Sequence, residues 1–201
     1  MPASPESHTS DTKNRILAAA AELIVKHGFN GVGINDILAK ANVPKGSFYH
    51  WFASKEQLGV ELLRSVGKAV SSEEATWFLR SDMMPNYLDR LSAAMEAGLL
   101  ALMKNSGTEV ALMLKLGAEM SSTSESMREE VASFLQGQNR LYTDFISQGQ
   151  KAGHIRNDIP AATLASIVSD LWTGAYLHVL VVRNAQPMRL AINHLKSFLA
   201  T

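Results

Sequence analysis

The stretch VGINDILAKANVPKGSFYHWFASK, from Val32 to Lys55, contains the pattern from which the rest of the chain can be interpreted. Its first part, Ile34 to Lys40, carries apolar residues at the spacing of one buried helix face. Asn42 then indicates a turn, because asparagine tolerates the left-handed backbone conformation. A second short helix is predicted from about Lys45 to Trp51. Two short helices joined by a tight turn predict a helix-turn-helix motif, whose second helix enters the major groove of DNA.

The second helix of this motif has an apolar side and a polar side. Phe48 and Phe52 are four residues apart, so both are predicted to be buried on one face. The remaining side chains then point elsewhere: Lys45, Ser47, Tyr49 and His50. The N-terminus of the first motif helix, at Gly33 and Asn35, has free backbone N–H groups that favour a phosphate.

Lys55 lies in the first turn of the next long helix, where Ser54 and Gln57 predict a capping box. A cation at this position opposes the helix dipole and costs ~0.3–1 kcal/mol. One interpretation is a solvated lysine, and the other is a contact to a DNA phosphate.

The segment GSFYHWFASKEQL, from Gly46 to Leu58, resembles the signature of TetR-type transcriptional repressors. Residues 37–39 (Ile-Leu-Ala), with Val43 after the turn, are similar to the first motif helix of that family. Asn42 stands where those proteins usually carry glycine. The match covers roughly Asp11 to Leu62. The resemblance implies base-edge contacts from Lys45, Ser47 and His50, and phosphate contacts from Tyr49, Lys55, Gly33 and Asn35.

Composition excludes several classes of function. The 201 residues have a formal net charge of 0 and a sequence pI of about 7.0, so no general affinity for polyanions is visible. The absence of cysteine excludes disulfides, thiolate metal sites and cysteine nucleophiles. It also agrees with a reducing compartment, and the first ten residues lack the apolar core of a secretory signal. A cytoplasmic location is therefore predicted.

The pattern predicts an all-α protein, because no strand alternation appears anywhere. Residues 1–9, rich in serine and proline, are predicted to be a disordered arm. Residues 10–54 are predicted to form a three-helix DNA-binding domain with the helix-turn-helix. Residues 55–201 are predicted to form an antiparallel helical domain for ligand binding and dimerisation.

The long apolar segment from Ala161 to Val182 could be interpreted as a membrane span. Asp170 in its middle argues against this, since a central aspartate costs ~2.5–3.5 kcal/mol on insertion. A helix that is apolar on two faces can instead pack on its own domain and on a partner, and Gly174 would let a neighbouring backbone approach. TetR-like proteins dimerise through their last two helices, so the resemblance implies a homodimer.

A ligand site is predicted in the middle of the second domain, mostly apolar with a few polar anchors. Lys115, the single positive charge in an apolar helix, could bind an anionic ligand or pair with Glu119 one turn on. The predicted ligand-contacting residues are Met95, Met113, Lys115, Phe134, Gln138 and Trp172.

The layout KLGAEMSSTSESMREEV, residues 115–131, resembles the TetR subgroup of N-ethylmaleimide reductase repressors. Those relatives sense electrophiles through cysteine, and the resemblance places one such cysteine near Ala111. Since this chain has no thiol, reversible binding of a small organic inducer is expected instead.

Two other classes of protein remain as alternatives. An enzyme would need a nucleophile, an acid–base pair or a cofactor motif, and none with usable spacing appears, so no catalytic residue and no cofactor is predicted. The six histidines are scattered, which predicts no metal site. An all-α protein-interaction module is the other alternative. The favoured interpretation is a dimeric repressor that binds a palindromic operator in double-stranded DNA.

Overall fold

The computed structural model describes the backbone of residues 5–80, 83–104 and 108–201, and their side chains except those of residues 5–10 and 108. The described residues are all-helical, as predicted. Their nine α-helices are α1 (Pro5–His27), α2 (Ile34–Ala41), α3 (Lys45–Trp51), α4 (Lys55–Phe78), α5 (Tyr87–Met103), α6 (Thr108–Met120), α7 (Glu125–Lys151), α8 (Ala161–Val182) and α9 (Gln186–Leu199).

The chain divides into two compact units, the first comprising residues 1–67 and 108–131 and the second residues 68–107 and 132–201. The helices α4 and α7 contribute residues to both units. The predicted functional boundary, between residues 54 and 55, does not coincide with this division by contact and stays a prediction.

The first unit packs α2, α3 and α6 against α1. Its core consists of apolar side chains that are fully or almost fully buried, among them Ile16, Ile24, Ile37, Phe48, Phe52, Leu58, Leu112, Leu116 and Met127. The helix α6 lies in this unit, whereas the sequence prediction assigned it to the ligand-binding domain.

The second unit packs α9 against both α5 and α8. Its buried residues come from every helix present, including Leu91, Met95, Tyr142, Phe145, Leu164, Val168, Tyr176, Ile192 and Leu195. Four polar or charged residues of the described chain are also buried, and three of them lie in this unit: Arg90, Ser92 and Gln138.

Two helix starts differ from the prediction. The helix α1 begins at Pro5 instead of near Ser10, so residues 5–9 of the predicted arm are helical and residues 1–4 lie outside the described residues. Proline suits a first helical position because its missing N–H would have no partner there. The helix α7 is capped by Ser124, whose Oγ accepts from Met127 N at 3.3 Å, whereas the spacing of Ser126 and Glu129 in the sequence predicts a capping box two residues later. Both serines precede an apolar run, and Ser126 instead donates to Glu56.

One helix of the described residues, α8, is long and apolar enough to cross a membrane by length and composition. Its bounds are those predicted from the sequence. Only 22% of its most apolar 18-residue stretch is buried within the chain, although α8 packs on α9. Large apolar side chains therefore remain exposed along it: Ile167, Leu171, Leu177, Val181 and Val182.

Candidate functional site

The turn between α2 and α3 adopts the predicted conformation. Asn42 has φ 53° and ψ 53°, in the left-handed region, and its N–H donates to Ala39 O. Arg15 of α1 donates to the backbone oxygens of Ala41 and Asn42, at 2.8 Å in the latter case. These two carbonyl groups end α2, so the arginine neutralises the negative end of that helix and holds the turn against α1.

The helix α3 is anchored from one side only. Phe48 and Phe52 are both 0% exposed, and their ring centroids lie 5.4 Å apart. The buried face was therefore predicted correctly from the four-residue spacing. On the other side Lys45 and His50 are exposed and Tyr49 is 58% exposed, whereas Ser47, also on the predicted polar side, is half-buried.

The N-terminus of α2 is already partly capped. The Gly33 N–H donates to Asp36 Oδ2 at 2.9 Å, so one of the groups predicted to face a phosphate has an acceptor within the chain. Asn35 is exposed beside it. A phosphate approaching this end of α2 would meet the N–H groups of the first turn together with the Asp36 carboxylate.

Lys55 has contacts that the sequence did not predict. Its Nζ donates to Phe29 O and lies 4.4 Å from the centroid of the Phe29 ring. Partial burial lowers the pKa of Lys55 below its usual value, and the nearby Glu119 carboxylate opposes this effect. One bond of the predicted capping box is present, because Ser54 Oγ accepts from Gln57 N. Gln57 Oε1 accepts from Ala53 N, one residue before the cap that the box requires.

A groove in the first unit brings most of the predicted DNA-contacting residues together. It is lined by residues 30–36 of the link and α2, and by Lys45, Tyr49 and Lys55. Five of the seven predicted residues line it: Gly33, Asn35, Lys45, Tyr49 and Lys55. Ser47 and His50 do not. The groove thus combines two lysines, a phenol and backbone N–H groups, which are the groups that contact nucleic-acid phosphates and base edges.

Glu119 of α6 binds the backbone at Asn30, one of the residues that line this groove. The sequence did not predict this contact. The Glu119 carboxylate accepts from Phe29 N and from Asn30 N, both at 2.9 Å. On the same helix Lys115 is exposed and donates to Val25 O near the end of α1. Neither contact has a local sequence signal, because each joins residues about ninety positions apart.

The predicted ligand-contacting residues are divided between the units. Met113 and Lys115 belong to the first unit; Met95, Phe134, Gln138 and Trp172 belong to the second. Met95, Met113 and Gln138 are buried, while Phe134 and Trp172 are half-buried. Their roles in ligand binding stay predictions.

A buried polar cluster in the second unit centres on Glu74 of α4. Tyr142 of α7 donates its hydroxyl to Glu74 Oε1 at 3.1 Å. Burial raises the pKa of Glu74 to about 7, although the side chains of Tyr142 and Gln138 stabilise the charged form. Burial also raises the pKa of Tyr142 well above its usual value. A sequence signal existed, because Glu74 continues the apolar stripe Leu58, Leu62, Val66 and Val70 at the same four-residue interval.

Comparison with known families gives two matches along the chain. The sequence model described as bacterial regulatory proteins of the tetR family matches residues 16–62. The model described as a tetracyclin repressor-like C-terminal domain matches residues 88–195.

Similar proteins span most of the chain. The HTH-type transcriptional repressor NemR of Escherichia coli (strain K12) is 32% identical over 195 residues, which are 96% of this chain and 97% of the relative. The HTH-type transcriptional repressor DhaR of Mycobacterium sp. (strain GP1) is 26% identical over 88% of this chain and 86% of its own. The crystal structure of the reduced form of E. coli NemR has a TM-score of 0.87 at 31% identity, covering 95% of this chain and 98% of the other.

Proposed function

The chain belongs to the TetR family of bacterial regulatory proteins, and from that premise we propose that it represses transcription as a homodimer on a palindromic operator. We further propose that a small organic ligand releases it by binding reversibly to the second unit. A cytoplasmic location without catalytic activity follows from such a role, and the similar proteins named above are regulators of transcription.

The observation that carries the DNA proposal is the groove in the first unit. It combines Lys45, Tyr49 and Lys55 with the N-terminus of α2, while buried Phe48 and Phe52 hold α3 in place. In this proposal Lys45, Ser47 and His50 approach base edges, and Tyr49, Lys55, Gly33 and Asn35 approach phosphates.

Band-shift titrations at several salt concentrations test this proposal, with operator and scrambled DNA. Lys45→Ala is expected to change sequence preference by ~1–3 kcal/mol, because a lost base contact affects one sequence more than another. Lys151→Ala, on the exposed end of α7, is the matched control and should bind like the wild type. Equal operator binding by wild type and Lys45→Ala would overturn the base-contact assignment.

Lys55→Ala separates two roles for Lys55. If Lys55 contacts a phosphate, binding weakens on all sequences and the salt dependence falls by about one counterion. If Lys55 only donates to Phe29 O and does not contact a phosphate, the affinity for DNA falls while its dependence on salt concentration is unchanged. An all-α protein-interaction module would show no salt-dependent DNA binding at all, so the wild-type titration excludes or supports that alternative.

The dimer proposal rests on the uncovered apolar face of α8. Ile167, Leu171 and Leu177 are exposed there, and a Cβ added at Gly174 would meet no atom within 4 Å. A larger residue at Gly174 is therefore compatible with the fold of one chain but would separate two packed backbones. We expect Gly174→Leu to give monomer in light scattering. Gly137→Leu, also in a helix and open around its Cβ, should remain dimeric.

Dimerisation predicts the operator. A two-fold symmetric pair of α3 helices reads two half-sites ~34–36 Å apart, or a multiple of that distance. Footprinting should therefore give a near-palindrome, and a single asymmetric half-site would contradict the proposal.

Ligand release is proposed to be non-covalent because the chain contains no cysteine. DNA binding should return fully when the inducer is dialysed away. Phe134→Ala and Trp172→Ala should shift the inducer dose without abolishing DNA binding, whereas a persistent mass adduct on the protein would overturn reversible sensing.

A further inference from the structure

Two oxygen atoms in the second unit are buried without a hydrogen-bond donor among the described residues. They are Oε2 of Glu74 and Oε1 of Gln138. Gln138 is 6% exposed, and its side chain also hydrogen-bonds to the Glu74 carboxyl group, so the two unsatisfied acceptors belong to one cluster. A buried acceptor without a donor is unfavourable and calls for a partner.

Among the described residues, the charged and titratable groups around Glu74 give it no ion pair, and the cation Arg90 lies over the Tyr87 and Phe145 rings, 5.3 Å from the centroid of the latter. Its own helix places Glu73 beside it, which adds negative charge. From α7 come the neutral hydroxyl of Tyr142 and the amide of Gln138. From α5, Arg90 donates to Phe78 O at 2.7 Å and lies 4.0 Å from the Tyr87 ring centroid. No ion pair to Glu74 exists within the described part of the chain.

The neighbouring side chains are aromatic. Phe78 lies one turn beyond Glu74 on α4, and its ring centroid is 5.7 Å from that of Tyr142 and 4.1 Å from that of Phe145. Aromatic faces attract cations as well as apolar groups. A carboxylate beside aromatic rings therefore favours a ligand that is both organic and positively charged.

We propose that the second unit binds a protonated organic amine, whose ammonium N–H groups donate to Glu74 Oε2 and Gln138 Oε1. This inference rests on the proposed function, because it assigns the chemical class of the inducer. Part of Glu74 remains accessible to solvent although its Oε2 atom is buried.

The empty site and the occupied site differ by one proton. Without the amine, the buried Glu74 carboxyl group holds a proton up to about pH 7. When the ammonium enters, that proton leaves to the buffer and the carboxylate pairs with the cation. Burial raises the pKa of Glu74 to about 7, so this exchange occurs near neutral pH. The amine should bind more tightly as pH rises towards 7, by roughly tenfold per pH unit at most.

Isothermal titration calorimetry on the full-length chain tests the inference, with benzylamine and phenethylamine as probes and benzyl alcohol as the neutral comparison. Titrations at about pH 6 and about pH 8, in two buffers of different ionisation enthalpy, measure the proton released. The wild type is expected to release close to one proton per amine at the lower pH and almost none at the higher.

Glu74→Gln should weaken amine binding at the higher pH by at least about tenfold and abolish proton release, since the cation loses its charge partner. Benzyl alcohol should bind wild type and Glu74→Gln equally. Glu96→Gln is the control, an exposed carboxylate on α5 of the same unit that is not among the groups shifting the pKa of Glu74, and it should behave as the wild type. Gln138→Leu should weaken both amines while keeping the proton release.

Two results would overturn the inference. One is equal amine affinity in wild type and Glu74→Gln, and the other is no binding of either amine by a wild type that is folded by circular dichroism. Both can occur while the protein still binds its operator in a band shift. Loss of operator binding would instead contradict the proposed function, so the two failures are distinguishable.

Discussion

Replacing Glu74 by glutamine should stabilise the protein, and the size of the effect should depend on pH. The carboxyl group has an ordinary pKa of 4.5, which burial raises to about 7 in the folded state. Each tenfold change in proton affinity is worth ~1.4 kcal/mol, so ionising Glu74 in the folded protein costs roughly 3 kcal/mol of stability.

The sign follows from proton binding. Between about pH 4.5 and 7 the folded state holds a proton that the unfolded state releases. The free energy of unfolding therefore falls as pH rises through this window and reaches its lower level above it. Glutamine cannot ionise, and its amide can donate to Gln138 while its oxygen accepts from Tyr142. Glu74→Gln should thus gain up to roughly 3 kcal/mol at about pH 8 and much less at about pH 5.

Urea unfolding followed by circular dichroism measures this difference, without ligand and at one protein concentration, because dimer stability depends on concentration. Glu96→Gln is the control, and its stability should follow the wild-type pH dependence because Glu96 is exposed on α5 and is not among the groups that shift the pKa of Glu74. Parallel pH profiles for wild type and Glu74→Gln would refute the reasoning, because they would mean that Glu74 ionises in the folded state as it does in water.

Three further substitutions test the first unit by urea unfolding. Glu119→Ala removes the acceptor of two backbone N–H groups and should lower the free energy of unfolding by ~1–3 kcal/mol. Glu109→Ala, at an exposed position on the same helix, should lower it clearly less, and equal losses of stability would contradict this role of Glu119. Phe48→Ala should cost ~3–5 kcal/mol because the ring is fully buried, and a loss below ~1 kcal/mol would show that α3 is anchored otherwise. Asn42→Ala should be ~1–2 kcal/mol less stable than Asn42→Gly because φ is 53°; equal stabilities would exclude a left-handed turn.

The helix-turn-helix could be predicted because its determinants are local. The left-handed turn at Asn42 and the buried pair Phe48 and Phe52 each depend on residue type and a spacing of a few positions. The bounds of α3 and α8 were also predicted correctly, since proline precedes both and the apolar pattern is continuous.

The contacts of Glu119 and Lys115 could not be predicted, because they join α6 to residues far away in the chain. Lys115 was predicted to contact a ligand or to pair with Glu119. It donates to a backbone oxygen at the end of α1, and its contact with a ligand stays a prediction. Glu74 was missed for another reason. Its place in an apolar stripe was visible, but its environment depends on α7, whose packing against α4 the sequence does not specify.

The one-sided anchoring of α3 has a consequence for how such regulators diverge. Its buried phenylalanines hold the helix, while Lys45 and His50 project into solvent and a Cβ at Gly46 would meet no atom within 4 Å. Substitutions at these three positions change the exposed surface of α3. Through helix propensity they lower the stability by at most ~1 kcal/mol, except for proline. After gene duplication, one copy can therefore acquire a new target sequence through a series of point substitutions, with every intermediate still folded. A library randomised at the same three codons should yield mostly folded proteins from which altered operator preferences can be selected.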